Sequence, residues 1–249
     1  MKRHQFLRRL HRVYRPRSYL EIGVNDGRSL ALSRVKSIGI DPAFKVTSEL
    51  RCDLTLVKTT SDEYFQRDNA VREFPDKLID LVFIDGMHLF EFALRDFINV
   101  ERHARWSSVV VFDDMLPRNV DEAARDRHTN AWTGDVYKVA DVLRTHRPDL
   151  VCAPVDTKPT GLLVVFGADA ENGVLRSEYD TLLTEHVVAD PQPVPASVLN
   201  RDRAVDPAMF LQAPFWKSLV RARHRRVGPR GSWTQLRPDI EEAVAAAGG

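Results

Sequence analysis

The chain has 249 residues, 43% hydrophobic and 29% charged, with a formal net charge of +1. That composition supplies a sizeable core and excludes both a disordered chain and a disulfide-stapled miniprotein. Two cysteines, Cys52 and Cys152, suit a reducing compartment, no apolar run approaches the ~20 residues of a membrane span, and the basic N-terminus lacks the apolar stretch of a secretory signal, so the expected location is cytoplasmic.

The charge is unevenly placed. Residues 1–20 hold Lys2, Arg3, Arg8, Arg9, Arg12, Arg15 and Arg17 with no acid, and residues 217–230 hold Lys217, Arg221, Arg223, Arg225, Arg226 and Arg230 with no acid. The remainder is acidic. Two basic segments on an acidic body are either solvated helix faces or a hold on an anionic partner.

In chain order, residues 1–17 read as a basic helix or arm. From Ser18 to Gly167 short apolar runs alternate with helix-like stretches, which predicts an α/β domain. Its expected strands are Tyr19–Val24, Ser37–Asp41, Leu54–Lys58, Leu78–Asp85, Ser108–Asp113, Val151–Val155 and Gly161–Phe166. Leu81–Ile84 and Val109–Phe112 are apolar on both faces and read as central parallel strands. Leu89, Phe92, Ala93, Phe97 and Val100 mark a helix between them, and Val136, Val139, Ala140 and Leu143 mark another. The last two strands are joined by Thr157–Thr160, too short for a crossover helix, so they form an antiparallel hairpin at the sheet edge. Residues 168–249 are a C-terminal extension with Pro191, Pro193 and Pro195 in a connector and Phe210, Phe215 and Trp216 as anchors. It reads as an acceptor cover or a dimer arm.

Glu21-Ile22-Gly23-Val24-Asn25-Asp26-Gly27 stands where the first strand turns toward a helix. Glycines there allow a tight turn and close approach of a ligand. A G-x-G-x-x-G dinucleotide fingerprint is absent because Asn25 takes the middle glycine's place. Asp41 ends the second strand, where a carboxylate can accept hydrogen bonds from both hydroxyls of a ribose. Further on, Asp85 ends one central strand and Asp113-Asp114 the next. Neighbouring strands lie about 4.8 Å apart, so the three carboxylates share a site if the strands are adjacent. Three crowded carboxylates call for a cation, and oxygen ligation suits Mg²⁺. His88, three residues beyond Asp85, has a ring pKa suited to general-base work. Taken singly, Asp85 and His88 can each also be read as a helix cap.

The set E-x-G-x-x-x-G, strand-end acid, I-D-G-x-H and F-D-D resembles the class I S-adenosylmethionine-dependent methyltransferases. More narrowly it resembles the metal-dependent O-methyltransferases of macrolide sugars and saccharides, over about Ser18 to Gly167. The resemblance implies a Rossmann-like, seven-stranded, mostly parallel sheet with helices on both faces. It implies that Glu21, Gly23, Asn25, Gly27 and Ser29 frame the methionine part of the cofactor, Asp41 the ribose, and Ser61 or Asp62 the adenine, although Thr59–Asp62 also reads as a helix cap. It implies Asp85, Asp113 and Asp114 around Mg²⁺ or another divalent ion, and His88 as base. Asp114 stands where catechol-type enzymes carry Asn, which favours a sugar or glycan acceptor over a catechol or other small molecule. Residues 130–138 resemble the acceptor-covering loop: Trp132 stacks on a sugar face or simply packs, Tyr137 and Lys138 hydrogen-bond its hydroxyls, and His128 is a further candidate. Asp135 reads as a helix cap. A homodimer is expected. A nucleic-acid-binding protein on this sheet is the remaining alternative, disfavoured because strand-end acids repel phosphate.

Overall fold

The runs Leu81–Ile84 and Val109–Asp113, apolar on both faces, lie where such strands must lie: in the middle of one sheet. A computed structural model describes residues 1–223 and 229–248. Arg225 and Arg226 of the second basic segment lie outside the described residues. The strands are β1 (Ser18–Ile22), β2 (Lys36–Ile40), β3 (Leu54–Val57), β4 (Leu81–Ile84), β5 (Val109–Asp113), β6 (Val151–Val155) and β7 (Leu162–Phe166). Their order is β3-β2-β1-β4-β5-β7-β6. β7 runs antiparallel to β5 and β6, and the other pairings are parallel. The Rossmann-like mixed sheet and its antiparallel edge hairpin are therefore as expected, with strand ends within three residues of the predicted ones.

The helices are α1 (Arg3–Tyr14), α2 (Ser61–Phe65), α3 (Phe90–Glu101), α4 (Lys138–His146), α5 (Val174–Ser177), α6 (Tyr179–His186), α7 (Ala196–Leu199), α8 (Pro207–Gln212), α9 (Phe215–Arg223) and α10 (Pro229–Gly248). One sheet face packs on α3 and α4 through Phe90, Phe97, Val139 and Leu143. The other is closed by both chain ends: Phe6, Leu10 and Tyr14 of α1 share a core with Phe210, Phe215, Trp216 and Phe166. The connection after β1 holds only a single 3₁₀ turn, Leu30–Leu32, in place of a full crossover helix. No helix among the described residues is long and apolar enough to cross a membrane.

The chain builds β1, β2 and β3 outward in one direction and then returns to place β4 on the other side of β1. A crevice opens at such a reversal, beyond the carboxyl ends of the strands. Gly23 sits at this point with φ +88°, and a Cβ there would lie 1.9 Å from the Asp85 carbonyl oxygen. No other residue lets the ends of β1 and β4 come this close.

Candidate active site at the carboxyl ends of β1, β4 and β5

The register pairs Ile84 with Phe112, so the residues that follow, Asp85 and Asp113-Asp114, leave the sheet side by side. Asp114 turns back with φ +59°, a costly backbone for a residue with a Cβ. That turn brings its carboxylate to His88. Asp85, His88 and Asp114 each offer a ligand atom, all within 4.8 Å of one another. Asp113 leaves the same strand end toward Arg3, whose guanidinium touches it and also reaches Asp85 Oδ2 at 3.3 Å.

His88 is fixed from both sides. Its Nδ1 lies 2.9 Å from the Trp132 carbonyl oxygen and 3.2 Å from Asp114, and its Nε2 lies 3.3 Å from Asp85 Oδ1. All three neighbours accept hydrogen bonds. Burial works against the charged ring, but the Asp85 bond and the charges of Asp114 and Asp85 outweigh it and raise the imidazole to about 9. Asp114 is raised, first by burial, with His88 and the Thr160 hydroxyl pulling the other way. Gly134 is what lets the covering loop approach: at φ +56°, a Cβ there would lie 1.6 Å from the His88 carbonyl oxygen. Trp132 then stacks on the His88 ring, centroids 5.3 Å apart and planes 17° apart.

Two cavities meet at this group. One, of about 620 Å³, is lined by Gly23, Asn25, Asp41, Ser61, Asp62 and Asp85, and reaches Arg3, His88 and Asp114. The other, of about 400 Å³, shares His88 and Asp114 and is walled by Trp132, Asn130, Arg127 and Thr160. At the far end of the first, Asp41 accepts from the amides of Asn25 at 2.8 Å and Ala43 at 2.6 Å, which fixes its carboxylate at the end of β2. Thr60 caps α2 in a reciprocal pair with Glu63, so Ser61 and Asp62 are the first helical residues. Asp62 pairs with Arg95 at 2.7 Å.

Other expected residues stand apart from the cavities. Glu21 is buried beneath them, takes a hydrogen bond from Tyr19, and is pushed up to about 8 by burial. Gly27 makes the turn after β1 (φ +80°), and Ser29 is buried before the 3₁₀ turn. Tyr137 packs with Ala123 and Val194. Lys138 Nζ binds Asp135 at 3.0 Å, the His186 carbonyl at 2.7 Å and Gln192 at 2.5 Å. His128 is exposed, its Nδ1 2.8 Å from the Asp126 carbonyl. Asp135 is a cap, but of α3 and not of its own helix: it accepts from the Phe90 amide at 2.8 Å.

Arg3 and Asp96 join the cavity without having been singled out. Arg3 is a long-range arrival that no local pattern marks. Asp96 carried a signal, as the one acid among the apolar positions 93, 94, 97 and 98 of α3; burial raises it to about 7, with a hydrogen bond to Ser61 opposing.

The cavity geometry suits a nucleoside-bearing ligand: an oriented carboxylate at a strand end, a helix start beside it, and a glycine turn. Asp85, Asp114 and His88 form a donor set that fits a divalent cation, with the two carboxylates as hard ligands.

Residues 20–115 match the family model described as a methyltransferase domain. No curated protein matches the chain significantly. Among solved structures, the chain is similar to an O-methyltransferase from Bacillus cereus in complex with SAH, at 15% identity and TM-score 0.46, over 66% of this chain and 80% of that one. It is similar to the O-methyltransferase TomG from Streptomyces achromogenes in complex with SAM, at 19% identity and TM-score 0.46, over 66% and 79%. It is also similar to the MycE methyltransferase in complex with Mg, SAH and mycinamycin VI, at 18% identity and TM-score 0.44, over 68% and 50%. The family match begins in β1 and runs one residue past Asp114, so it contains the whole Asp85, His88 and Asp114 group. Strand order and family match together give the chain a Rossmann-like methyltransferase fold.

Proposed function

We propose that the protein is an S-adenosylmethionine-dependent O-methyltransferase whose acceptor is a hydroxyl of a sugar or saccharide. The observation that carries this reading is the meeting of two cavities at Asp85, His88 and Asp114. One cavity has the features of a cofactor site and the other holds space for an acceptor, with a base at the junction.

In this reading Asp41 holds the ribose, Ser61 and Asp62 lie along the adenine, and Gly23 and Asn25 leave room for the methionine part. Glu21, Gly27 and Ser29 act from beneath by shaping the turn. Asp85 and Asp114 would hold a divalent cation, with Asp113 behind them. Such an ion supplies Lewis acidity and a template for two adjacent oxygens, which is why a vicinal diol is the preferred acceptor. His88 Nδ1–H donates to the Trp132 carbonyl, and Nε2, which faces Asp85 Oδ1, acts as the base in the ring's neutral form, whose share grows as pH rises toward about 9. That nitrogen takes the hydroxyl proton while the oxygen attacks the methyl carbon and the carbon–sulfur bond breaks. Asp85 and Asp114 favour the proton on His88 and so strengthen it as an acceptor. Trp132 forms one wall against the sugar. Tyr137, Lys138 and Asp135 hold the loop that carries it.

The test is turnover against a panel of saccharides and catechols, with and without chelator, alongside calorimetric binding of S-adenosylhomocysteine. The reading requires saccharide methylation that chelation abolishes and that His88→Gln cuts while cofactor binding stays. Turnover of catechols alone would assign the acceptor cavity to the small-molecule class instead. Absence of S-adenosylhomocysteine binding would remove the enzyme reading altogether.

A further inference from the structure

On the side of α1 away from Asp85, a second charged feature remains that the methyl-transfer chemistry does not use. Arg8 and Arg12 lie one turn apart on the same face of α1, and Arg15 caps its C-terminus. Across from them, Arg28 and Arg34 rise from the segment around the 3₁₀ turn after β1. These five guanidiniums and His11 line a groove of about 690 Å³, and among its described lining residues none is acidic. Arg8, Arg12 and Arg15 have no acidic partner among the described residues. Arg28 is paired with Asp26 at 2.5 Å, and Arg34 is pinned by the carbonyls of Ala31 and Ser33 at 2.7 and 2.6 Å.

We propose that this groove binds a small molecule through a diphosphate or longer oligophosphate. Three considerations select that class. First, the cations are all arginines, whose planar forks pair bidentately with phosphate. Second, from Arg8 to the end of α1 at Tyr14 the helix rises about 9 Å, with Arg15 just beyond. One phosphate meets only part of that row, whereas two or three in series meet it and Arg28 or Arg34 opposite. Third, five guanidiniums against the single Asp26 leave a surplus that one monoanion does not neutralise. The groove also has an apolar wall, with Leu32 and Val35 among its lining, which suits the uncharged remainder of such a molecule. A nucleic acid fits less well. The lining of the groove holds no Phe, Tyr or Trp platform for stacked bases, and Asp41 and Asp85 line the neighbouring cavity, where a continuing phosphate chain would be repelled.

The site lies near the cavity through α1 itself, since Arg3 and His4 belong to its first turn and Arg28 follows the β1 glycine turn. The inference stands whether or not the chain transfers methyl groups.

The experiment is isothermal titration of the full chain with inorganic pyrophosphate, triphosphate, ADP and adenosine at physiological ionic strength, with sulfate as single-anion control. Saturable binding of pyrophosphate or triphosphate, with sulfate at least tenfold weaker, is expected. The exposed pair Arg8→Gln with Arg12→Gln should weaken it at least tenfold. Arg9→Gln, on the same helix but outside the groove, should change it less than twofold. Arg8→Lys with Arg12→Lys keeps charge and fold and should still lose affinity severalfold. ADP binding tighter than pyrophosphate would identify a nucleotide as the source, and equal binding the phosphates alone; both sustain the site. It is overturned if neither oligophosphate binds saturably, if Arg9→Gln matches the Arg8/Arg12 pair, or if a single-stranded oligonucleotide binds more tightly than triphosphate.

Discussion

Asp80 and Asp85 stand just before and just after β4, about 17 Å of strand apart, and their surroundings differ in one countable respect. Asp80, 1% exposed, accepts from the Arg17 amide at 2.8 Å and from Arg17 Nε at 3.1 Å, and it pairs with Arg105 at 3.0 Å and Arg223 at 3.3 Å. One carboxylate there faces three guanidiniums. At the other end Asp85, Asp113 and Asp114 share Arg3 and His88. The protonation tendencies follow: Asp80 is held below the usual carboxylate range, because its arginine bonds outweigh the cost of burial, whereas Asp114 is pushed above it. An acid whose charge is overmatched locks helices and loops to the sheet. Acids left undermatched can take up a proton or a cation, and that is what chemistry needs.

The sharpest way to break the comparison is Asp80→Ala. It strands Arg223, whose side chain is 2% exposed, and removing one partner of a buried pair costs about 3–5 kcal/mol. Urea denaturation should show that loss, while turnover per folded molecule stays as in the parent. An equal loss of turnover would mean that the lower end also serves the reaction. His88→Gln is the mirror case. Turnover should fall by about 10²–10⁴-fold with S-adenosylhomocysteine affinity and melting temperature nearly unchanged. A melting temperature that collapses would reassign His88 to scaffolding.

The sequence made one end of β4 legible and left the other dark, for a physical reason. Asp85, His88 and Asp114 sit next to the strands that position them, so spacing and strand pairing were enough to bring them together. The same holds for Gly23 and Asp41. Arg3, Arg17 and Arg223 reach their acids from the chain ends, across 60 or more residues, and helix periodicity says nothing of where a helix docks. The arginines of the N-terminal segment therefore read as one basic run, although Arg3 lines the cavity beside Asp85 and Arg8, Arg12 and Arg15 line a groove. Lys138 and Tyr137 show the converse. Their place within residues 130–138 says which segment is near the site, but side-chain direction is settled by packing against Asp135, Gln192 and Ala123.

Asp96 extends the comparison to an acid that no cation among the described residues bonds directly. Burial raises it from 3.8 to about 7, so between about pH 4 and 7 the folded chain keeps a proton that the unfolded chain has released. Stability from this group is therefore lost as pH rises through that window and is level above it. Three units at about 1.36 kcal/mol each set a ceiling of about 4 kcal/mol. Asp96→Asn should be more stable than the parent by about 2–3 kcal/mol at pH 8 and equal to it at pH 4. A gain independent of pH would show that the side chain is ionised in the folded state.

The smallest expected effect probes the undermatched end directly. Arg3 is the one guanidinium bonded to the Asp85 and Asp113 pair among the described residues. It is partly exposed, so its ion pairs stabilise the fold by no more than about 1 kcal/mol. If those acids serve a cation, Arg3 competes for the same oxygens. Arg3→Gln should then leave urea stability within about 1 kcal/mol and raise Mn²⁺ affinity by about tenfold, equivalent to 1.4 kcal/mol, in an electron-spin-resonance titration of free Mn²⁺. Unchanged affinity would place the ion on Asp114 and His88, clear of Arg3. A weakened one would make the guanidinium part of the scaffold that orients the acids, and the two ends of β4 would then differ in degree only.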